Sequence, residues 1–531
     1  MGLDDLIKNL NDRDKSKILG DNTTKIIRYS FVNNDSEALP RKILNKAVAL
    51  HNGINLVNKT KLRNKLIETI SLNDLKDLGF EGTENTIYDH AIETYNNNLE
   101  RFFSDFKIED IYKEIEVIDD RTNFEYATPI YGESNGTNAF PHPYQLRVKK
   151  NLSRHLNAIY NYNTNKTLVT MPTGAGKTVL AMETIVDLLR NHNNNDVPLN
   201  IVWIVNSKEL CEQSLQSFQK IWKQKGDRIV MAQRYWDRFN SFNQNKIDKI
   251  TFASFQLLTP RVINKKPEDL DFIKNLDYLF IDEAHFTGAE QYQEIFNTYV
   301  RLNDNPKIVG LTATPLRADD SEFGTLKTMF NHYLQLVDKN NNSVPSPIDY
   351  LIERDYLSNI EYQVINELSE TRNSKLIDKS AYYKGLHESV TQTCKNLIED
   401  KKNTIIFAES KAHAIALSLY LKAEEIENEL IVGETPTANR KKYLERLGDK
   451  EDSLSILINE KILATGIDVP GLNSIMILAN IDSITTALQI LGRAMRGPKN
   501  GGNKNNTIYI TKDNKIKLKN YHLLEAKALN N

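Results

Sequence analysis

The chain has 531 residues, enough for about three to four domains with sizeable cores. Charged residues are 26% and hydrophobic residues 40%, a globular balance that excludes a disordered or fibrous chain. A net charge of −2 excludes a wholesale basic surface, so any nucleic-acid binding must rest on local grooves. No apolar run is long enough to cross a bilayer, and the acidic start Gly2 to Leu6 reads as no signal peptide, so no membrane partner is expected. Cys211 and Cys394 lie far apart without metal-ligand neighbours, which suits a reducing, cytoplasmic compartment.

Residues 1–137 read as largely helical. Apolar positions recur at helical spacing from Ile43 to Leu50 and from Leu62 to Leu75. Lys59, Lys61, Arg63 and Lys65 form a basic cluster that suits either a nucleic-acid or partner module or a plain solvated face. The turn-rich stretch Ser134 to Asn138 marks a boundary, which leaves residues 1–137 as an accessory region. Phe140-Pro141-His142-Pro143-Tyr144-Gln145 follows. There the Gln145 amide can read an adenine edge and the Tyr144 ring can stack on the base.

Thr167 to Thr170 reads as a buried strand, and Val179 to Val186 has helical periodicity. Between them stands Met171-Pro172-Thr173-Gly174-Ala175-Gly176-Lys177-Thr178. Strand, glycine loop and helix start are the context of a phosphate-binding loop, because glycines let the backbone wrap an anion at a helix N-terminus. Thr173, Gly174, Ala175 and Gly176 supply that wrap. Lys177 can reach the β- and γ-phosphates, and the Thr178 hydroxyl can hold Mg²⁺. Met171 stands where the usual pattern has its first glycine.

Apolar runs then alternate with helical segments. Ile201 to Val205, Ile250 to Ser254, Tyr278 to Ile281 and Ile308 to Leu311 read as strands, which indicates a parallel α/β sheet covered on both faces. The third of these ends in Asp282-Glu283-Ala284-His285. Open α/β sheets bind ligands at strand carboxyl ends. There Asp282 can hold Mg²⁺, Glu283 can orient an attacking water, and His285 can link the phosphate site to a second domain. Thr312 and Thr314, at the end of the next strand, can bridge the nucleotide site to its neighbours.

The polar stretch Asp338 to Pro347 reads as an interdomain connection and divides residues 138–345 from 346–531. The second part repeats the pattern, with strands at Thr404 to Ala408, Leu430 to Val432, Leu454 to Ile458, Ile475 to Leu478 and Thr507 to Ile510. It has no phosphate loop. It carries Thr465-Gly466-Ile467-Asp468-Val469-Pro470 and Gln489-Ile490-Leu491-Gly492-Arg493-Ala494-Met495-Arg496. In a helix Gln489, Arg493 and Arg496 share one face, which can present two guanidinium groups to a triphosphate.

Taken together and in this order, these stretches resemble the superfamily 2 helicases and translocases. The resemblance covers about Phe140 to Thr511. It implies two tandem RecA-like parallel-sheet domains with ATP and Mg²⁺ between them. Lys177, Thr178, Asp282 and Glu283 would stand on one wall and Arg493 and Arg496 on the other. Gln489 would lie near the γ-phosphate, Gln145 at the adenine and Asp468 near the ribose. Nucleic acid would meet Ser207, Lys208, Ser254, Phe255, Ser410, Lys411 and Thr465, mainly through its phosphates.

The motif wording looks most like the DNA-acting branch, with the motor subunits of type I and III restriction enzymes and repair helicases of the RadD and Irc3 kinds. It favours DNA over RNA as the track. An RNA helicase is the first alternative. A second is an ATP-gated clamp or sensor subunit of a defence complex, docked to a protein partner through the N-terminal region. His142 stands where related proteins often have arginine, and Gly497 to Asn506 has no role legible in the sequence.

Overall fold

The computed structural model describes residues 2–32, 39–52, 55–108, 122–129, 141–157, 165–192, 197–243, 246–284, 290–313, 328–365, 379–449, 452–460, 472–481, 490–492 and 495–517. Contacts divide the chain into two compact units. One, the phosphate-loop unit, comprises Arg121–Asn359, Asp482–Asn500 and Leu518–Asn531. The other comprises Met1–Asp120, Ile360–Ile481 and Gly501–Lys517. Successive segments divided at 137 and 345 therefore differ from these units, which interleave the chain.

The phosphate-loop unit is built on β1 (Phe124–Ala127), β2 (Asn165–Thr170), β3 (Asn200–Val205), β4 (Val230–Tyr235), β5 (Lys249–Ser254), β6 (Tyr278–Ile281), β7 (Lys307–Thr312) and β8 (His332–Leu334). They form one sheet in the order β1-β4-β5-β3-β6-β7-β2-β8. All neighbours are parallel except β1, which runs antiparallel along β4. The central strands are buried along their length because helices such as Lys177–Arg190 and Lys208–Lys225 cover the sheet. The order places β2, β7 and β6 side by side, so their carboxyl ends open at one place.

The sequence pattern missed β1, β4 and β8. β4 is hidden by its polar residues, since Gln233 and Arg234 are both buried. The Arg234 guanidinium is held by Glu212 at 2.9 Å and by Glu125 of β1. Those two carboxylates make a charged residue compatible with an interior strand.

The other unit contains β9 (Asn359–Val364), β10 (Thr404–Phe407), β11 (Glu429–Ile431), β12 (Ile456–Asn459), β13 (Ser474–Ile477) and β14 (Asn505–Ile510), in the order β11-β12-β10-β13-β14-β9. The two parallel sheets and the helical region match the expected fold class. The N-terminal helices, from Leu3–Asn9 to Leu99–Asp105, share their core with this second sheet. Ile27, Leu44 and Val48 join one apolar cluster with Leu386, Val390, Ile415 and Leu419. Tyr29 stacks on Tyr383 at 6.3 Å between centroids, and Phe31 meets Tyr420 at 5.7 Å.

Within the basic cluster of this region, Arg63 is buried. It donates to the Val57 and Asn58 carbonyls at 2.7 and 3.0 Å and to the Asn96 side chain. This is the capping of a helix end rather than a contribution to a basic face. Among the described residues no helix is long and apolar enough to cross a membrane.

Candidate nucleotide site

The phosphate loop continues β2. Met171 is fully buried and its N–H donates to the Thr312 carbonyl at 3.2 Å, so the strand pairing with β7 extends into the loop. A buried apolar residue fits that extension, which explains methionine in place of the usual glycine. Gly174 and Gly176 have φ of 80° and 73°, the left-handed region that glycine adopts without strain. Gly176 then caps the helix Lys177–Arg190, aiming the free N–H groups of its first turn at the loop.

Lys177 is buried, and its Nζ lies 3.5 Å from the Met171 carbonyl. The Thr178 hydroxyl reaches Asp282 Oδ2 at 3.4 Å. Asp282 follows β6 directly and accepts from the Glu283 N–H at 3.0 Å. Glu283 has a left-handed backbone, φ 50°, which is uncommon outside glycine. Burial first, and the neighbouring Glu283 charge second, push the Asp282 carboxyl up to about 7. Lys177, the Glu283 N–H and Thr178 oppose that shift. Thr173 Oγ1 is enclosed without a hydrogen-bond partner among the described residues. An orphaned hydroxyl and a carboxylate resisting ionisation are what a polyanion and its cation would relieve.

Tyr144 and Gln145 lie beneath the loop. The Tyr144 hydroxyl donates to the Ala175 carbonyl at 3.0 Å. Gln145 Nε2 donates to the carbonyls of Ala175 and Gly176 at 3.1 and 3.3 Å, and its Oε1 accepts from the His142 N–H at 2.6 Å. Both side chains are buried against the loop.

The segment around Arg496 belongs to the same unit. A Cβ on Gly174 would approach Leu357, Met495 and Gly492, and one on Gly492 would collide with the Thr173 side chain at 2.1 Å. Leu357 bridges to Arg496, and the Arg496 carbonyl accepts from the Ser358 hydroxyl. Leu357, Ser358 and Gly492 were not singled out in the sequence. The first two sit after the polar connection without any motif, and Gly492 announces itself only as a small residue inside one. Gln489, Arg493, Asp468, Thr465, His285 and Thr314 lie outside the described residues. Thr312 is fully buried at the end of β7.

The expected nucleic-acid positions share a local device. Ser207, Ser254 and Ser410 are helix N-caps, Ser254 as the last residue of β5 and the other two just beyond β3 and β10, accepting from Leu210, Leu257 and His413 N–H groups at 3.3, 3.3 and 3.2 Å. Lys208 pairs with Asp237 at 3.3 Å and Lys411 with Glu434 at 2.6 Å. The Phe255 ring packs into the core of the phosphate-loop unit.

Two families match this chain. Type III restriction enzyme, res subunit, matches residues 139–317, and the helicase conserved C-terminal domain matches residues 388–498. The chain belongs to the superfamily 2 helicases. Similar proteins include one named helicase 22 from Sulfolobus islandicus filamentous virus (isolate Iceland/Hveragerdi), 26% identical over 67% of this chain and 62% of that one. Another is IRC3 of Saccharomyces cerevisiae, named as an ATP-dependent helicase, 24% identical over 62% of this chain and 46% of that one. A third is the type I restriction enzyme EcoKI endonuclease subunit of Escherichia coli K12, 24% identical over 62% of this chain and 31% of that one.

This helicase thus spans under two thirds of the length of each of these relatives. Among solved structures, S. cerevisiae Dbp5 bound to RNA and ADP BeF3 gives a TM-score of 0.48 at 17% identity, covering 72% of this chain and 91% of that one. At that score the likeness says nothing about ligand or track.

Proposed function

We propose that this helicase is an ATP-driven motor that tracks along DNA, in the repair, restriction or phage-defence setting of related motors. The observation that carries the reading is the convergence at the ends of β2 and β6. There Lys177 and the loop amides face the place where Thr178 and Asp282 approach to 3.4 Å. Lys177 binds the terminal phosphates, and the Thr173 hydroxyl and loop N–H groups cradle them. Thr178 and Asp282 are the residues that would hold Mg²⁺, which supplies charge neutralisation at the phosphate oxygens. Glu283, held by its strained backbone beside Asp282, orients the attacking water and accepts its proton. Gln489, Arg493 and Arg496 complement the charge that develops on the transferred phosphoryl group.

DNA as the track is supported by motif wording closest to the DNA-acting branch, and by likeness to a restriction-enzyme subunit. The test is steady-state ATPase with no polymer, single-stranded DNA, duplex DNA, branched DNA and RNA, using Lys177→Ala as the blank. Stimulation by one DNA form, with turnover lost in the blank, is expected. Greater stimulation by RNA would replace the track. Equal turnover in wild type and blank would overturn the site.

A further inference from the structure

Two features had no legible role in the sequence: His142 and the stretch that starts at Gly497. They meet. His142 Nε2 lies 2.6 Å from Asn500 Oδ1, and Asn500 Nδ2 donates to the Tyr356 carbonyl at 2.7 Å. The second bond fixes the Asn500 amide orientation, so the His142 tautomer that fits carries its proton on Nε2 and donates it. The His142 ring packs on Tyr356 at 4.6 Å between centroids and stacks on Tyr144 at 5.8 Å. Lys499 Nζ sits 4.6 Å over the Tyr356 ring.

The backbone repeats the docking. Gly497 N–H donates to the Tyr356 carbonyl at 3.2 Å, Lys499 N–H to Asp355 at 3.0 Å, and Ser358 N–H to Met495 at 2.9 Å. A Cβ on Gly497 would fall 2.5 Å from the Asp355 carbonyl oxygen and 2.7 Å from the Tyr356 carbonyl carbon. Glycine is required there by space. On the other side, the His142 N–H is held by Gln145, which itself donates to Ala175 and Gly176. One continuous chain of contacts therefore runs from the loop carbonyls through Gln145, His142 and Asn500 to a point four residues beyond Arg496.

We infer that His142 and Asn500 are positioning residues that seat the Arg496 segment against the phosphate loop, so loop conformation and arginine placement are set together. This rests on the ATPase reading above. Neither residue touches the reacting atoms. His142 acts through Gln145 on the loop, and Asn500 acts on the arginine segment through the Tyr356 carbonyl, which also accepts from Gly497. Because the pair adjusts a group that works in the transition state, its loss falls on kcat rather than on nucleotide binding.

The experiment uses the full chain. ATPase kcat and KM are measured for wild type, His142→Ala, Asn500→Ala, the double variant, His142→Gln and Gly497→Ala. The Kd of a fluorescent non-hydrolysable ATP analogue and the thermal midpoint are measured alongside. Loss of the shared hydrogen bond predicts a kcat lower by about three- to tenfold in His142→Ala, and at least as low in Asn500→Ala, which also loses the bond to the Tyr356 carbonyl. The KM and analogue Kd stay within about twofold. The double variant is no slower than the slower single variant, since either single change already breaks the His142–Asn500 contact. His142→Gln, whose amide can donate to Asn500 Oδ1, recovers most of kcat, and Gly497→Ala reproduces the loss.

Unchanged kcat in both single variants overturns the inference, as does a multiplicative double variant. A rise in KM and Kd with unchanged kcat overturns it too and makes His142 a reader of the base. Absence of wild-type turnover would overturn the ATPase reading itself, whereas normal wild-type turnover with indifferent variants defeats the positioning role alone.

Discussion

In the phosphate-loop unit, Lys177 at a helix start and Thr312 at the end of β7 are buried, with Asp282 and Glu283 half-buried after β6. The Thr173 hydroxyl is enclosed there without a partner among the described residues. In the other unit, one group of buried polar side chains lies among helices, away from the strand ends. Ser418 pairs with Asn428 at 2.7 Å, Asn428 donates to the Ile426 carbonyl at 3.1 Å, and His387 stacks on His413 at 5.3 Å. An enclosed hydroxyl without a partner beside a carboxylate pair is costly unless a ligand completes the site, while polar side chains packed among helices contribute to a single packing. The first kind of site is expected to govern turnover and the second stability.

The largest separation between the two is expected at Glu283. Removing the residue that orients water and takes its proton lowers kcat by about 10²- to 10⁴-fold in Glu283→Gln. The carboxamide keeps the side chain's shape, so the thermal midpoint should stay near wild type. A variant that unfolds, or that turns over normally, would erase the distinction between a chemical and a structural polar cluster.

Ile27→Ala is the complementary break. Ile27 is fully buried on the helix Asp21–Phe31, which packs on the helices Lys379–Glu399 and Lys411–Ala423. Truncating it should cost about 2–5 kcal/mol, the range for large-to-alanine changes in cores. Trp203, Trp222 and Trp236 are the three tryptophans of the chain and all lie in the phosphate-loop unit. Urea unfolding followed by tryptophan fluorescence therefore reports that unit, while far-ultraviolet circular dichroism reports both. The dichroism transition should move to lower urea and the fluorescence transition should move less. Equal shifts would show that the N-terminal helices support both units alike.

What could be read in advance follows from how local each signal is. The glycine loop, the Asp282-Glu283 pair and the near-continuous apolar strands are written in adjacent residues, so the fold class was legible, and so was the approach of the loop to Asp282 in the candidate site. β4 was not, because Arg234 interrupts its apolar run and is made tolerable by Glu212 and Glu125, which are distant in sequence. The docking of the N-terminal helices on the second sheet was equally hidden. Helical periodicity reveals an apolar face but not its partner. The meeting of His142 with Asn500 spans most of the chain, and neither residue belongs to a spaced motif that could have announced it.

The smallest effect concerns pH and tests the cluster packed among helices. His387 is fully buried, and neither ring nitrogen has a hydrogen-bond partner among the described residues. Burial first, and the stacked His413 second, hold its imidazole well below the ordinary value of 6.5. The groups around it are Tyr383 on its own helix, which donates to Glu409 at 3.2 Å, and His413 and Tyr420 on the facing helix. With a depressed folded value, the unfolded chain takes up a proton first as pH falls through 6.5, while the folded chain keeps His387 neutral. Stability carried by the neutral ring is therefore complete above the unfolded value and declines progressively below it. Thermal unfolding followed by circular dichroism should show a lower midpoint at about pH 5.5 than at about pH 7.5, conditions that bracket the ordinary imidazole value. His387→Leu removes the titrating group and keeps the site apolar, so its midpoint should fall less over the same interval. Identical pH slopes in the two proteins would mean that the second unit's buried histidine, unlike the carboxylate at the end of β6, is indifferent to the charge it excludes.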